Sequence, residues 1–94
     1  MPSTPARLIV VSDVFKFRDG TLHLSPTVPF AVADHFRLKV GNNLELRRPD
    51  GSIIKATLLG IDVFSPSNWT VGLSLGKTLG KSDVPLGTEI WKVG

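Results

Sequence analysis

A chain of 94 residues with 41% hydrophobic and 20% charged positions can build one compact core but not two. It has no cysteine, which excludes disulfides, thiolate metal sites and cysteine nucleophiles, and its formal net charge of +3 is mild. Apolar runs such as LIVV at 8–11 are strand-sized and far short of the ~20 residues a membrane helix needs.

The N-terminal MPSTPAR has no apolar segment after a basic start. No secretory signal is expected, residues 1–6 are expected to be a flexible lead, and the expected compartment is the cytoplasm. RLIVVSDVFKF then reads as strand, being rich in β-branched and aromatic residues. From Ser12 it alternates, Val14 and Lys16 facing one way and Asp13, Phe15 and Phe17 the other. RDGT at 18–21 is a turn, because Asp-Gly supplies the positive backbone angle of a tight hairpin. TLHL begins a return strand that Pro26 and Pro29 interrupt, so this part is expected at an edge or in a loop. PFAVADHF at 29–36 is the best helical candidate, and it fits strand or loop equally.

VGNN at 40–43 is a turn before NLELRR, which sets Leu44 and Leu46 against Glu45 and Arg47. RPDGS at 48–52 is a strong hairpin signal. SIIKATLLGIDVF is a long strand in which Gly60 predicts a bend or bulge. SPSN at 65–68 is a loop, and WTVGLSL sets Trp69, Val71, Leu73 and Leu75 against Thr70, Gly72 and Ser74. SDVPLG is a turn and TEIWKV a terminal strand. The prediction is all-β: one small closed barrel of six to seven strands spanning residues 1–94.

GLSLGKTLGKS at 72–82 holds two Gly-Lys-Thr/Ser triplets of the kind that end a phosphate-binding loop. The first glycine of that loop falls on Val71 for one triplet and on Leu75 for the other. Pro85 and Gly87 follow where a helix must start. Nucleotide hydrolysis is therefore not expected.

Four segments resemble, in order, the second domain of the translational GTPases, the β-barrel of elongation factor Tu and its relatives. They are SDVFKFRDGTL, LKVGNNLEL, ATLLGIDVF and VGLSLGKTLGKSDVPLGTEI, and they span nearly the whole chain. The resemblance implies a Greek-key barrel standing without the GTPase domain, with the Gly-Lys triplets in a basic connector. In the family an acidic-Asp-Val-Phe strand lines the pocket for the aminoacyl-tRNA end, and Asp13 and Phe15 match it. Ser12 stands where the family has an acidic residue, Leu24 where it has a pocket threonine, and Thr70 near a pocket asparagine. The 26–36 segment is longer than its family counterpart. It is either a new binding element or a tolerated surface loop.

No metal pair, serine elbow or acid/base pair emerges. His23 and His35 sit in separate segments, and His23 is expected to point out of its strand. Asp19, Asp50 and Asp83 have turn roles. NWT at 68–70 matches a glycosylation acceptor and is read as chance without a signal peptide. Phe15, Trp69 and Trp91 are expected to pack the core by default. An exposed tryptophan marks a contact surface. Basic residues are scattered, with Arg47-Arg48 as the one adjacent pair, which fits a solvated surface before a nucleic-acid stripe.

The expected function is a non-catalytic binding module, without cofactor or metal and not spanning a membrane, monomeric or weakly dimeric, that docks on a protein. The alternative is RNA, a tRNA end or ribosomal RNA, through Phe15, Lys16, Arg18, Arg47 and Arg48. A third reading makes the chain an accessory piece of a translation factor. Asp13, Phe15, Lys16, Arg18, Arg47, Arg48 and Trp69 are the candidate binding residues.

Overall fold

The computed structural model describes residues 5–64, 70–76 and 78–93. Seven strands form one antiparallel sheet curled into a half-barrel, in the order β1-β7-β4-β5-β6-β3-β2. The strands are β1 Ala6–Val10, β2 Asp13–Lys16, β3 Leu22–Pro29, β4 Asn43–Arg47, β5 Ile53–Phe64, β6 Thr70–Leu75 and β7 Glu89–Val93. Among the described residues, one short helix, α1 at Phe30–His35, follows β3 directly, and a single 3-10 turn spans Lys81–Asp83.

Turn chemistry sets the hairpins. The carboxylate oxygen of Asp19 accepts the Thr21 N–H at 2.9 Å, that of Asp50 accepts the Ser52 N–H at 2.9 Å, and that of Asp83 accepts the Gly80 N–H at 2.8 Å. These are the turn roles their positions predict. The Ser52 hydroxyl and N–H hold the Asp50 carboxyl below its ordinary value. That contribution is present at neutral pH and is lost as pH falls through the lowered value. Gly51 closes the β4–β5 hairpin at φ 90°, donating to the Arg48 carbonyl at 2.9 Å. An alanine there is forced into the left-handed region, so Gly51→Ala is expected to destabilise by about 1–2 kcal/mol, read as a lower urea midpoint at unchanged slope.

Two register shifts shape the sheet. In β5 the shift lies between Leu58 and Gly60, where the sequence predicts a bulge. Residues 53–57 pair with β4 and residues 58–64 with β6, so one strand serves two neighbours through its bend. In β3 the shift lies between Leu24 and Val28. The strand runs through Pro26 and Pro29 instead of being interrupted, so of the two expectations, edge or loop, the loop is corrected and the edge holds. β2 pairs only as far as Ser25, so beyond it β3 has no partner on that side and the missing proline donors break no ladder there.

The two ends of the strand order are also sequence neighbours. Val11 donates to the Thr88 carbonyl at 2.8 Å, beside β7, and Ser12 donates to the Ser25 carbonyl at 2.8 Å, in β3. Consecutive residues thus bond to opposite ends of the sheet, which requires the sheet to curl.

The core fills the concave side. Leu22, Leu44, Leu46, Leu58, Leu75 and Ile90 are fully buried. The 29–36 segment resolves as helix from Phe30, and Ala33 is buried against the sheet. Packing of Ala33, with Val32 and Phe36 beside it against the core, rather than propensity, holds so short a helix. With Val28 and Ala33 both in the core, the 26–36 segment is not a free surface loop.

Trp91 is not in the core. Its strand gives Ile90 to the interior, and its register partners Glu45 and Arg7 share its outer face. There its indole N–H donates to Glu89 at 2.9 Å and the Arg47 guanidinium lies 4.0 Å from the ring. No helix among the described residues is long and apolar enough to cross a membrane.

Candidate functional site

Strand parity decides what β2 presents to solvent. Val14 is buried, so Asp13, Phe15 and Phe17 face out, as the alternation predicts. Phe15 is 47% exposed and Phe17 52% exposed, so the default core reading of Phe15 does not hold. The reason is positional: β2 pairs with β3 on one side and its outer face has no layer above it.

Register then assembles the rest. Phe15 pairs with His23, His23 with Ser74, and Ser74 with Gly60, making one outward row across four strands. Side-chain height falls along it, from two rings to a hydroxymethyl to a hydrogen. Beside that row Asp62 pairs with Gly72. The outward place of Asp62 depends on the β5 bulge. Strict alternation from Leu58, which faces the core, would point Gly60 and Asp62 inward; the extra residue inverts this. The result is a groove of about 410 Å³ lined by Phe15, Phe17, His23, Ser25, Thr27, Asp62 and Gly72, with Leu24 and Leu73 at its base.

His23 is fixed from three sides. Its ring lies 3.8 Å from that of Phe17, nearly parallel at 21°. Its Nε2 lies 2.9 Å from the Thr21 hydroxyl, and its Nδ1 lies 3.8 Å from an Asp62 carboxylate oxygen. Thr21 gives its single hydroxyl proton to Asp19 at 2.6 Å. The Thr21 oxygen can then only accept, so Nε2 carries the hydrogen of a neutral ring. Nδ1 of that ring presents a lone pair toward Asp62. Thr21, His23 and Asp62 stand in the order hydroxyl, imidazole, carboxylate that nucleophilic catalysis uses. Here the imidazole donates to the hydroxyl, the reverse of a general base. The arrangement orients a ring and leaves a carboxylate facing an acceptor.

The other candidate residues divide. Asp13 uses a carboxylate oxygen to accept the Val14 N–H at 2.8 Å, at the edge of the sheet. Lys16 has the parity of Val14 and donates to the Leu79 carbonyl at 2.6 Å, tying β2 to the connector after β6. Arg18 is exposed in the turn next to Phe17. Arg47 binds Glu45 through Nε at 3.2 Å and Nη2 at 3.1 Å, under its contact with Trp91. Arg48 is half-buried with its Nε unpaired. Trp69 and the glycosylation match at Asn68 lie outside the described residues. The structure therefore brings Asp13, Phe15 and Arg18 to one end of the strand order and places Arg47 at the end of β4 and Arg48 just after it, and β4 neighbours neither β2 nor β3.

The sequence points His23 outward and sets Phe17 on the face of Phe15 but gives neither a site role, and it offers none for Asp62 and Gly72. Gly60 was the available signal, since a bulge there reverses the parity of everything after it. Among the described residues, no group of three His, Asp or Glu side chains is placed to hold a metal. Comparison with protein-family models, curated proteins and solved structures finds no match to this chain.

Proposed function

We propose that this chain is a non-catalytic binding module that docks on a protein partner through the outer face of β2, β3 and β6. Its scaffold is read as a small closed Greek-key barrel, like the second domain of translational GTPases, joined across Val11 and Ser12. The four ordered sequence segments and the hydrogen bonds of those two residues to opposite ends of the sheet support that reading. The observation that carries the function is the pair of exposed phenylalanines at the rim of the groove. Exposed aromatic side chains around a concavity are what protein contacts use as anchors.

A photo-crosslinking residue tests this. With p-benzoyl-phenylalanine in place of Phe17, a protein adduct that survives ribonuclease is expected in an extract of the source cells. The same group in place of Thr57, on the outer face shared by β4 and β5, is expected to give none. Equal capture from both positions defeats the proposal.

The RNA reading is favoured by one observation, the parallel Phe17 and His23 rings with Arg18 adjacent. Stacked rings beside a cation form a platform for bases. The groove itself carries a carboxylate and no Lys or Arg, which disfavours phosphate. A tRNA titration at two salt concentrations separates the readings. RNA binding through phosphates must weaken steeply with salt, by about 0.7 in log–log slope for each phosphate contacted on a single strand. Absent or salt-insensitive binding is expected.

A further inference from the structure

The partner's contact group is legible in the groove, given the protein-docking reading above. We propose that the groove seats an arginine side chain of the partner protein, its guanidinium held by Asp62 and His23 and covered by the rings of Phe15 and Phe17.

Charge is the first argument. The chain carries +3 overall, yet the groove has one formal charge among its lining residues when His23 is neutral, and that charge is negative. The Asp62 side chain is 55% exposed, so it remains open to an incoming group. Two other clefts lack this bias. The cleft of about 370 Å³ over β4, β5 and β7 sets Glu45 directly opposite Lys55, and the cleft of about 220 Å³ beside α1 carries Asp34 with Arg37.

Hydrogen-bond accounting is the second argument. In the neutral ring Nε2 of His23 donates to Thr21, so Nδ1 and the Asp62 carboxylate are two acceptors facing each other at 3.8 Å. Neither satisfies the other. A group with several N–H donors entering beside both satisfies them together. The third argument is shape. A flat aromatic wall, with the side-chain-free Gly72 across from it leaving room, suits a planar cation that also stacks. A guanidinium is planar, presents five N–H donors in a rigid fork and stacks on rings. Lysine offers a rounder, more strongly hydrated charge.

The test uses the full-length 15N-labelled chain and the capped peptide Gly-Gly-Arg-Gly-Gly, with lysine, citrulline or glutamate at the centre as comparisons. The arginine peptide is expected to shift the amides of His23, Ser25, Gly72 and Leu73. It is expected to bind about tenfold more tightly than the citrulline peptide, which keeps the shape and loses the charge. Asp62→Asn and, separately, Phe15→Ala are each expected to weaken arginine binding about tenfold. Both sites are exposed, so the amide spectrum of each variant should otherwise stay that of the parent. Equal binding of arginine and citrulline peptides, unchanged affinity in Asp62→Asn, or shifts confined to residues outside the groove overturns the arginine assignment. Protein capture from position 17 that persists despite such a result leaves the docking reading standing. Loss of both removes it.

Discussion

Leu75→Ala is expected to destabilise the protein by about 2–5 kcal/mol, the range for a leucine truncated in a packed core. Leu75 ends β6 and is fully buried. It pairs with Leu22 of β3 on one side and Leu58 of β5 on the other, both also at 0% exposure. Removing it opens a cavity at the centre of a three-strand row, and neither neighbour can close in without leaving its own register. A domain of this length has roughly 5–14 kcal/mol in total, so the loss is a large fraction of the whole. Urea unfolding monitored by tryptophan fluorescence measures it. Leu75→Met, which keeps the volume, is expected to lose less than about 1.5 kcal/mol. Leu86→Ala, at a site 63% exposed, should stay within about 0.5 kcal/mol of the parent. A Leu75→Ala midpoint as close to the parent as that of Leu86→Ala would mean that the curled sheet does not enclose this row.

Gly60→Ala is expected to cost about 1–3 kcal/mol, as overpacking does. A Cβ at Gly60 would stand 2.5 Å from the Ser74 hydroxyl oxygen, closer than such atoms approach. Ser74 is itself buried, so its side chain has little room to turn away. The double-mutant cycle makes the cause specific. Ser74→Ala removes the oxygen and leaves its own Cβ 3.8 Å away, an ordinary contact. Gly60→Ala in that background should therefore be nearly neutral, with a coupling within the ~0.5–3 kcal/mol seen for touching residues. Equal penalties in both backgrounds would trace the cost to the bulge backbone instead. The same substitution probes the binding face, because Gly60 and Asp62 owe their outward side to one bulge. A variant that straightens it should lose the arginine peptide as well as stability.

Much of the architecture is written locally. Asp-Gly at 19–20 and 50–51 specifies two hairpins, because few residue pairs reach those backbone angles. Leu44 and Leu46 against Glu45 and Arg47 assign the two faces of β4 unaided. The prolines of β3 marked an edge correctly but not an interruption, because a missing N–H matters only where a neighbour needs it, and the reach of β2 is not a local property. Phe15 and Trp91 misled for a related reason. Hydrophobicity states a preference for burial, but side-chain parity and the absence of a covering layer decided against it.

The sequence alone determined the strands, most of their inward residues, their turns, the shared face of Asp13, Phe15 and Phe17 and the outward direction of His23, since a period of two residues is set by backbone geometry within each strand; that the shared face of β2 is the outer one was decided by the burial of Val14. Only the tertiary structure decided that Asp62 and Gly72 stand across from those rings. Register between β3, β6 and β5 joins residues some fifty positions apart in roughly the way a code with two keys does: pairing of whole strands supplies one, and the one-residue bulge at Leu58–Gly60, which reverses inside and outside for the rest of β5, supplies the other.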